Sequence, residues 1–551
     1  MLRVLLTCMF LFFGLISYSQ SVLTPLSDFQ FHWVDRIELL EGKTLPDLHS
    51  SFKPYWRDAL VEISGDRTLW SQTDDKNFRY LHDDNPDQKK SNVEDLSTKK
   101  RKSFYARSNA FYAVDVPDFN LILNPVAGFG YGRESLSDLH LYQNTRGVEM
   151  RGSLAGKVGF YSYLTENQQV LPEFMRKKVD EDGVLPGAGL IKPFSTNGLD
   201  FFTARGYFTL KPLKVMNLQF GHDRNFIGNG FRSMIWSDHS REHLFLKLQT
   251  RVWKFQYTNL FAELSDLDRL SGSGGNIDRK YAAVHHLSLN LGKKVNIGFF
   301  ETVIFDRGNK GFEANYLNPI IFYRAVEHTL NSSDNVLIGL DVKVIPVRKV
   351  SVYGQFLLDE FVKDELISRS GWWANKWALQ GGVKYIDLFG IQNLDLQGEF
   401  NMARPFTYTH FNRAQNYIHQ NQPLAHPLGA NFKEGVFILR YQPTFKLNVQ
   451  FTGIYYARGK DSSQTSMTYG GNILRTYDNR VRNYENITGQ GLQEKVLFTE
   501  ISLSYQWYHN IFTDLRVSNR AVSGDFVSEN LLIQTVLRVN LFGRTPYEFK
   551  Y

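Results

Sequence analysis

Glu500-Ile501-Ser502-Leu503-Ser504-Tyr505-Gln506-Trp507 alternates polar and apolar side chains without a break. Successive side chains of an extended chain point to opposite faces. Ile501, Leu503, Tyr505 and Trp507 therefore make one greasy face, and Glu500, Ser502, Ser504 and Gln506 one polar face. A tight reversal fits at Tyr508-His509. The same period recurs upstream. Phe445, Leu447, Val449, Phe451 and Tyr455 alternate with Lys446, Asn448, Gln450 and Thr452. Val148, Met150 and Leu154 alternate with Glu149, Arg151 and Ser153, and Leu394 to Met402 repeats the pattern.

A soluble sandwich also alternates, so connection lengths must decide. Short turns recur at 154–157, 210–213, 292–294, 345–348, 388–390 and 442–444, with further reversals near 251–252 and 508–509. Between them lie long polar loops at about 168–199, 223–241, 263–280, 306–335, 404–433 and 459–494. Short turns alternating with long loops are the pattern of an antiparallel outer-membrane β-barrel, with turns in the periplasm and loops outside. About eighteen strands fit, from 118–132 to 529–542, an even number with both ends periplasmic. The last strand should turn Leu531, Ile533, Leu537, Val539 and Leu541 to lipid. Trp253, Tyr257, Trp377, Tyr385, Tyr505 and Trp507 suit the headgroup girdles. A barrel of this size holds an aqueous lumen unless loops or a plug fill it.

Composition agrees. The 551 residues are 42% hydrophobic, 22% charged and 15% aromatic, with 43 Phe, 28 Tyr, 9 Trp and 42 Gly. That excludes a bundle of spanning helices and a disordered chain. A net charge of +7 is mild for this length and does not point to nucleic acid. Arg3, the apolar Val4–Ile16 stretch and Ser17-Tyr18-Ser19 read as a signal peptide over 1–19. The one Cys, Cys8, falls inside it, so the exported chain uses no thiol chemistry. Residues 20–115 read as a small helical periplasmic region. Ser27-Asp28-Phe29-Gln30 is a capping-box pattern before Phe29, Trp33, Ile37 and Leu40, with Gly42 as stop. A second helix is expected from Pro54 to Ile63, and a third from Asn85-Pro86. The basic run Lys89–Lys102 reads as a solvated helix face. The barrel with its long extracellular loops takes 116–551.

Motifs of catalysis are missing: the chain holds no HExxH, CxxC or GxSxG. Neither a cofactor nor a metal is implied. His285 and His286 lie on one strand, so their side chains diverge and cannot chelate together. Two loops stand apart. One carries Arg224, Asn225, Arg232, Trp236 and Asp238; the other Arg404, Arg413, His426 and Asn431. Aromatic faces stack on sugar rings, and Arg, Asp and Asn pair with vicinal hydroxyls, so these nine are candidate glycan ligands. The alternative is a pair of loops folded into the lumen, their polar groups satisfying one another. A third segment, Glu313–His328 with Asn318-Pro319-Ile320-Ile321-Phe322, reads as a lumenal helix or an inward-folded loop.

Gly221–Asp238, Asn318–Ile321 and Gln422–Phe432 resemble the Wzi capsule-assembly family. Asp35–Glu38, Leu48–Tyr55, Thr145–Glu149 and Gly159–Asn167 resemble its Bacteroidetes, gliding-motility (RemB-like) branch. The resemblance implies an eighteen-stranded barrel with periplasmic helices that binds exported capsular or exopolysaccharide, lectin-like and without catalysis. It implies as partners this polymer, outer-membrane lipid, and polysaccharide-export or gliding machinery. Competing readings are a gliding or adhesion component, a passive porin and, last, an outer-membrane enzyme.

Overall fold

The computed structural model describes residues 21–46, 48–63, 65–85, 109–267, 277–308, 311–320 and 322–541. The signal peptide, the helix expected from Pro86 and the Lys89–Lys102 run lie outside them. Eighteen antiparallel strands close into a barrel. They are β1 (Phe119–Glu134), β2 (His140–Leu154), β3 (Val158–Val170), β4 (Gly198–Leu213), β5 (Met216–Asp223) and β6 (His243–Val252). Next come β7 (Phe255–Asp266), β8 (Asp278–Leu291), β9 (Val295–Phe305), β10 (Asn335–Val347), β11 (Val350–Glu360) and β12 (Lys376–Tyr385). The last are β13 (Leu394–Ala403), β14 (Phe432–Thr444), β15 (Leu447–Lys460), β16 (Leu492–Tyr508), β17 (Ile511–Gly524) and β18 (Ser528–Val539). Closure pairs Val539 to Leu532 of β18 with Ala127 to Glu134 of β1. A short strand, Tyr112–Val116, leads in by pairing with the lower part of β1.

The alternation builds an inside-out wall. On β16, Ile501, Leu503, Tyr505 and Trp507 are exposed, while Glu500, Ser504 and Gln506 are buried. On β2, Met150 and Leu154 face outward, and Glu149, Arg151 and Ser153 are buried. Outward apolar and inward polar is the arrangement lipid demands. Leu531, Ile533 and Leu537 are lipid-exposed as expected, but Leu541 is not. The strand ends at Val539, and Leu541 turns in to pack with Val126, Tyr161 and Trp56.

A helical plug fills the periplasmic half of the lumen. It has α1 (Asp28–Glu41), α2 (Arg57–Val61) and α3 (Gln72–Asp83). Gly42 ends α1 in the left-handed region, φ 68°, where a Cβ would also meet the Arg348 side chain at 2.5 Å. The capping box expected at Ser27 does not form: the Ser27 side chain makes no cap bond, and Gln30 is buried. The box sits instead at Ser71, whose hydroxyl accepts the Asp74 N–H while Asp74 accepts the Ser71 N–H, both at 3.0 Å.

Polar contacts dock the plug to the wall. Arg36 of α1 donates to Asp395 at 2.5 Å and Asp387 at 3.1 Å on the barrel, and to both oxygens of Asp74 on α3. Lys384 donates to Asp35 at 2.5 Å, and Lys343 pairs with Glu38. Asn77 and Gln442 exchange two bonds.

The extracellular half of the lumen is filled by the chain's own loops. Segments 224–242 and 404–431 fold inward as a cork. Ile227, Met234, Ile235, Trp236, Tyr417, Ile418 and Leu424 pack there against Phe245, Leu260, Phe300, Leu337 and Ile438 of the wall. A helix between β3 and β4, α4 (Glu173–Asp182), adds Met175 and Val179. Plug and cork meet where Phe52-Lys53 pairs antiparallel with Phe226-Ile227.

The third loop corrects the sequence reading. Residues 312–320 and 322–330 pack on the outer face of the barrel, not in the lumen, and the segment returns to the rim at Asp334, which accepts from Gln415 of the cork at 3.0 Å. Lumenal residues of β8 are even-numbered: His286 bonds Asp341 at 2.7 Å, and Ser288 bonds the plug's His49 at 2.8 Å. Odd-numbered His285 and Ala283 therefore face outward, and they pack with Tyr323, Tyr316 and Val326 of this loop. The helix α5 (Tyr323–Leu330) lies on the outer wall.

Candidate functional site

The nine candidate residues separate by burial. Arg224, Asn225, Arg232, Trp236, Asp238, His426 and Asn431 are each at most 8% exposed, inside the cork. Glu434 explains several of them. It accepts from Arg232 at 3.2 Å, His426 at 2.7 Å and Asn401 at 2.9 Å. Arg224 pairs with Glu242 at 3.4 Å and donates to the Asp238 carbonyl. Lys247 donates to Asn225. Asn431 bonds the Gly459 and Gln490 carbonyls and the Gly489 N–H, stapling three segments. Trp236 stands edge-on to Tyr417 and His243. These side chains hold the loops in the lumen and are withheld from an extracellular polymer. Arg413 is partly open, but it is held by Asp266, Asn421 and the Leu474 carbonyl.

Arg404 differs. It leaves β13 at the extracellular rim, and its terminal nitrogen bonds only the carbonyls of Trp372 and Asn486, at 3.5 and 3.4 Å. Its Nε has no partner, and among the described residues no carboxylate neutralises it. Burial lowers its pKa, the mark of a cation lacking counter-charge.

Around it stands an aromatic cluster from three loops. Trp372 and Trp373 come from 361–375, Phe406 from 404–431, and Tyr477 and Tyr484 from 461–491. Ring centroids lie 4.9 Å apart for Trp372–Tyr484 and 4.5 Å for Trp373–Tyr477. The Arg480 guanidinium covers Trp373 at 4.3 Å, and Lys376 approaches Tyr477 at 4.6 Å. Both indole N–H groups lack acceptors. Tyr484 is 48% exposed, and Trp372 half-buried. The rim thus offers the partly open rings of Trp372 and Tyr484 beside the un-neutralised Arg404, while Lys376 is matched by Glu360 at 2.8 Å; rings beside a cation are the chemistry that recognises an acidic sugar polymer. The sequence reading passed over this cluster. Its trace was the adjacent tryptophans of Gly371-Trp372-Trp373, two of nine in the chain, set in a polar loop.

A second opening lies at the periplasmic end, between α1 and β14–β18, lined by Phe29, Arg440, Gln450, Phe512, Arg516 and Arg538. Its charge is largely spent internally: Arg538 and Arg516 pair with Asp514 at 2.6 and 3.3 Å, and Arg440 donates to Gln397.

Comparison with known proteins supports this architecture. The solved structure of Wzi, described as an outer-membrane protein involved in group 1 capsule assembly in Escherichia coli and a carbohydrate-binding β-barrel, shares the fold. Its TM-score is 0.57 at 13% identity, covering 94% of this chain and 99% of that one. Pseudomonas aeruginosa OprD and OccK8 (OprE) align at TM-scores of 0.40 and 0.42 with 11% and 10% identity. They cover 76% and 77% of this chain and 94% and 98% of theirs. No curated protein matches the sequence. The family described as capsule assembly protein Wzi matches residues 130–530, well over half of the chain. With a closed barrel, a lipid-facing apolar wall and that match, the protein is an outer-membrane protein and belongs to the Wzi capsule assembly family.

Proposed function

We propose that this barrel binds exported capsular or exopolysaccharide at its extracellular rim and holds it on the cell surface, without catalysis. The observation that carries the reading is the Trp372–Tyr484 cluster beside Arg404, an under-neutralised cation among partly open ring faces. Stacking on one or two sugars binds weakly, so retention rests on many barrels engaging one long chain. The filled lumen weighs against a passive porin: apolar side chains of the cork and wall occupy the extracellular half. Runs such as Leu48–Tyr55 and Thr145–Glu149 support a place in the Bacteroidetes, RemB-like branch, where gliding or export machinery is the expected neighbour.

The test compares cell-attached with shed polysaccharide in a deletion strain carrying the wild-type gene or Trp372→Ala/Tyr484→Ala. Polymer should move to the medium in the double variant while total synthesis and barrel abundance hold. Attachment unchanged in the deletion itself would end the reading, and a motility defect with retained polymer would transfer the function to gliding.

A further inference from the structure

The outer wall of β6–β10 carries a polar row where lipid should meet only apolar groups. Reading across outward-facing partners, Leu248 pairs with Asn259, Asn259 with His285, His285 with Glu301, and Glu301 with Ile338. His285 is six residues above Leu291, a lipid-exposed residue at the periplasmic end of β8. At about 3.4 Å per residue and a tilt of about 40°, that is roughly 15 Å up an apolar band about 25 Å tall. An ionisable group exposed at such depth costs a few kcal/mol.

The 311–334 loop covers this row. Glu301 accepts the N–H of Arg324 at 3.3 Å, at the start of α5. Tyr323 stacks on His285 with centroids 4.0 Å apart. The Pro319 carbonyl accepts from Tyr257 and from Asn259. Asn259 and Glu301 are thereby satisfied by a segment that descends from the extracellular rim. The covering segment then exposes its own apolar tip: Ile320 is 85%, Phe322 76% and Leu317 46% exposed. The wall residues beside the polar row are themselves lipid-facing, with Phe299 56%, Ile338 47% and Leu340 38% exposed. Arg324 follows the tip, its side chain 74% exposed beside Glu327. An apolar tip followed by a cation is how a segment anchors at a lipid interface.

We propose that this loop is a membrane-embedded flap whose tip, Leu317, Ile320 and Phe322, packs against acyl chains of the outer leaflet. The tip continues the barrel's lipid-facing belt, and the flap insulates the Asn259–His285–Glu301 row from hydrocarbon. The proposal stands apart from glycan binding, since it involves the opposite side of the wall from the cork and none of the rim residues.

The test uses the full chain in a Cys8→Ser background, reconstituted in phosphatidylethanolamine–phosphatidylglycerol vesicles. Nitroxide labels are placed singly through Ile320→Cys and Phe322→Cys. Phe299→Cys on β9 serves as the lipid standard and Gln464→Cys, on an extracellular loop, as the water standard. Collision rates with oxygen and with a water-soluble nickel complex are read by EPR. The oxygen-to-nickel ratio at 320 and 322 should match that at 299 and exceed that at 464 several-fold. A ratio matching 464 would overturn the proposal. So would low collision with both reagents accompanied by dipolar broadening between labels, which would mean that a second copy of the chain covers the tip. Ile320 touches little, so its label reports even where the Phe322 variant is perturbed.

Discussion

Arg36 ties α1 to α3 and to two wall carboxylates at once, and Arg36→Met isolates its contribution to plug docking. Its side chain is 3% exposed and ion-pairs with Asp74, Asp387 and Asp395. Burial alone would lower the guanidinium's pKa, but Asp395 and Asp74 outweigh it and hold the group fully charged. Removing one partner of a buried ion pair costs about 3–5 kcal/mol, because the remaining charge is stranded. Here the lower end applies. Asp395 keeps His32 at 2.7 Å, Asp387 keeps Lys349 at 3.1 Å, and Asp74 keeps Ser71 and Asn393. A loss of about 3 kcal/mol is a shift of roughly 100-fold in the equilibrium between docked and open plug. Hydrogen exchange followed by mass spectrometry measures this directly. Amide protection in α1 and α3 should fall by that factor, while β6–β9 and the cork keep theirs. Arg36→Lys should fall between, because an ammonium cannot span both Asp74 oxygens. A fall of less than tenfold in Arg36→Met would refute the assignment of docking energy to this cluster.

Three further outcomes are expected. Burial, reinforced by Arg251, pushes the His49 imidazole down to about 3. Since a free imidazole titrates near 6.5, an undocked plug takes up a proton that the docked plug refuses; docking is complete above about pH 6.5 and weakens by about 1.4 kcal/mol per unit as pH falls toward 3. Plug protection at pH 5 should therefore be lower than at pH 7, and His49→Asn should flatten the difference. Trp236→Ala removes a fully buried indole from the cork and should destabilise it by about 3–5 kcal/mol, read as a lower unfolding temperature and, in planar bilayers, as conductance absent from the wild type. Arg404→Ala should weaken binding of an acidic polysaccharide more than of a neutral one, and the difference should shrink at high salt.

Strand content and barrel sidedness were legible because both are written locally. Period-two alternation in Glu500–Trp507 needs only neighbours to declare two faces, and the eighteen strands fall within a few residues of where that period places them. Turn length against loop length then separated the two ends of the barrel, and the plug sits at the short-turn end, where Arg36 meets Asp387 and Thr44 meets Lys293. What a loop does is not local. Arg232 and His426 read as ligands because they are polar and lie between strands, yet both end on Glu434, His426 from eight residues away and Arg232 from 202, a distance only the tertiary fold closes. Trp372 meets Tyr484 only because two loops share one rim. Asn318-Pro319-Ile320-Ile321-Phe322 marks the limit most clearly. An apolar run is equally at home in a packed lumen and against lipid, so its composition cannot choose between the two sides of the wall. The choice was made by Asn259, His285 and Glu301, three polar groups on the outer face that the Pro319 carbonyl, the Tyr323 ring and the Arg324 N–H of this loop meet.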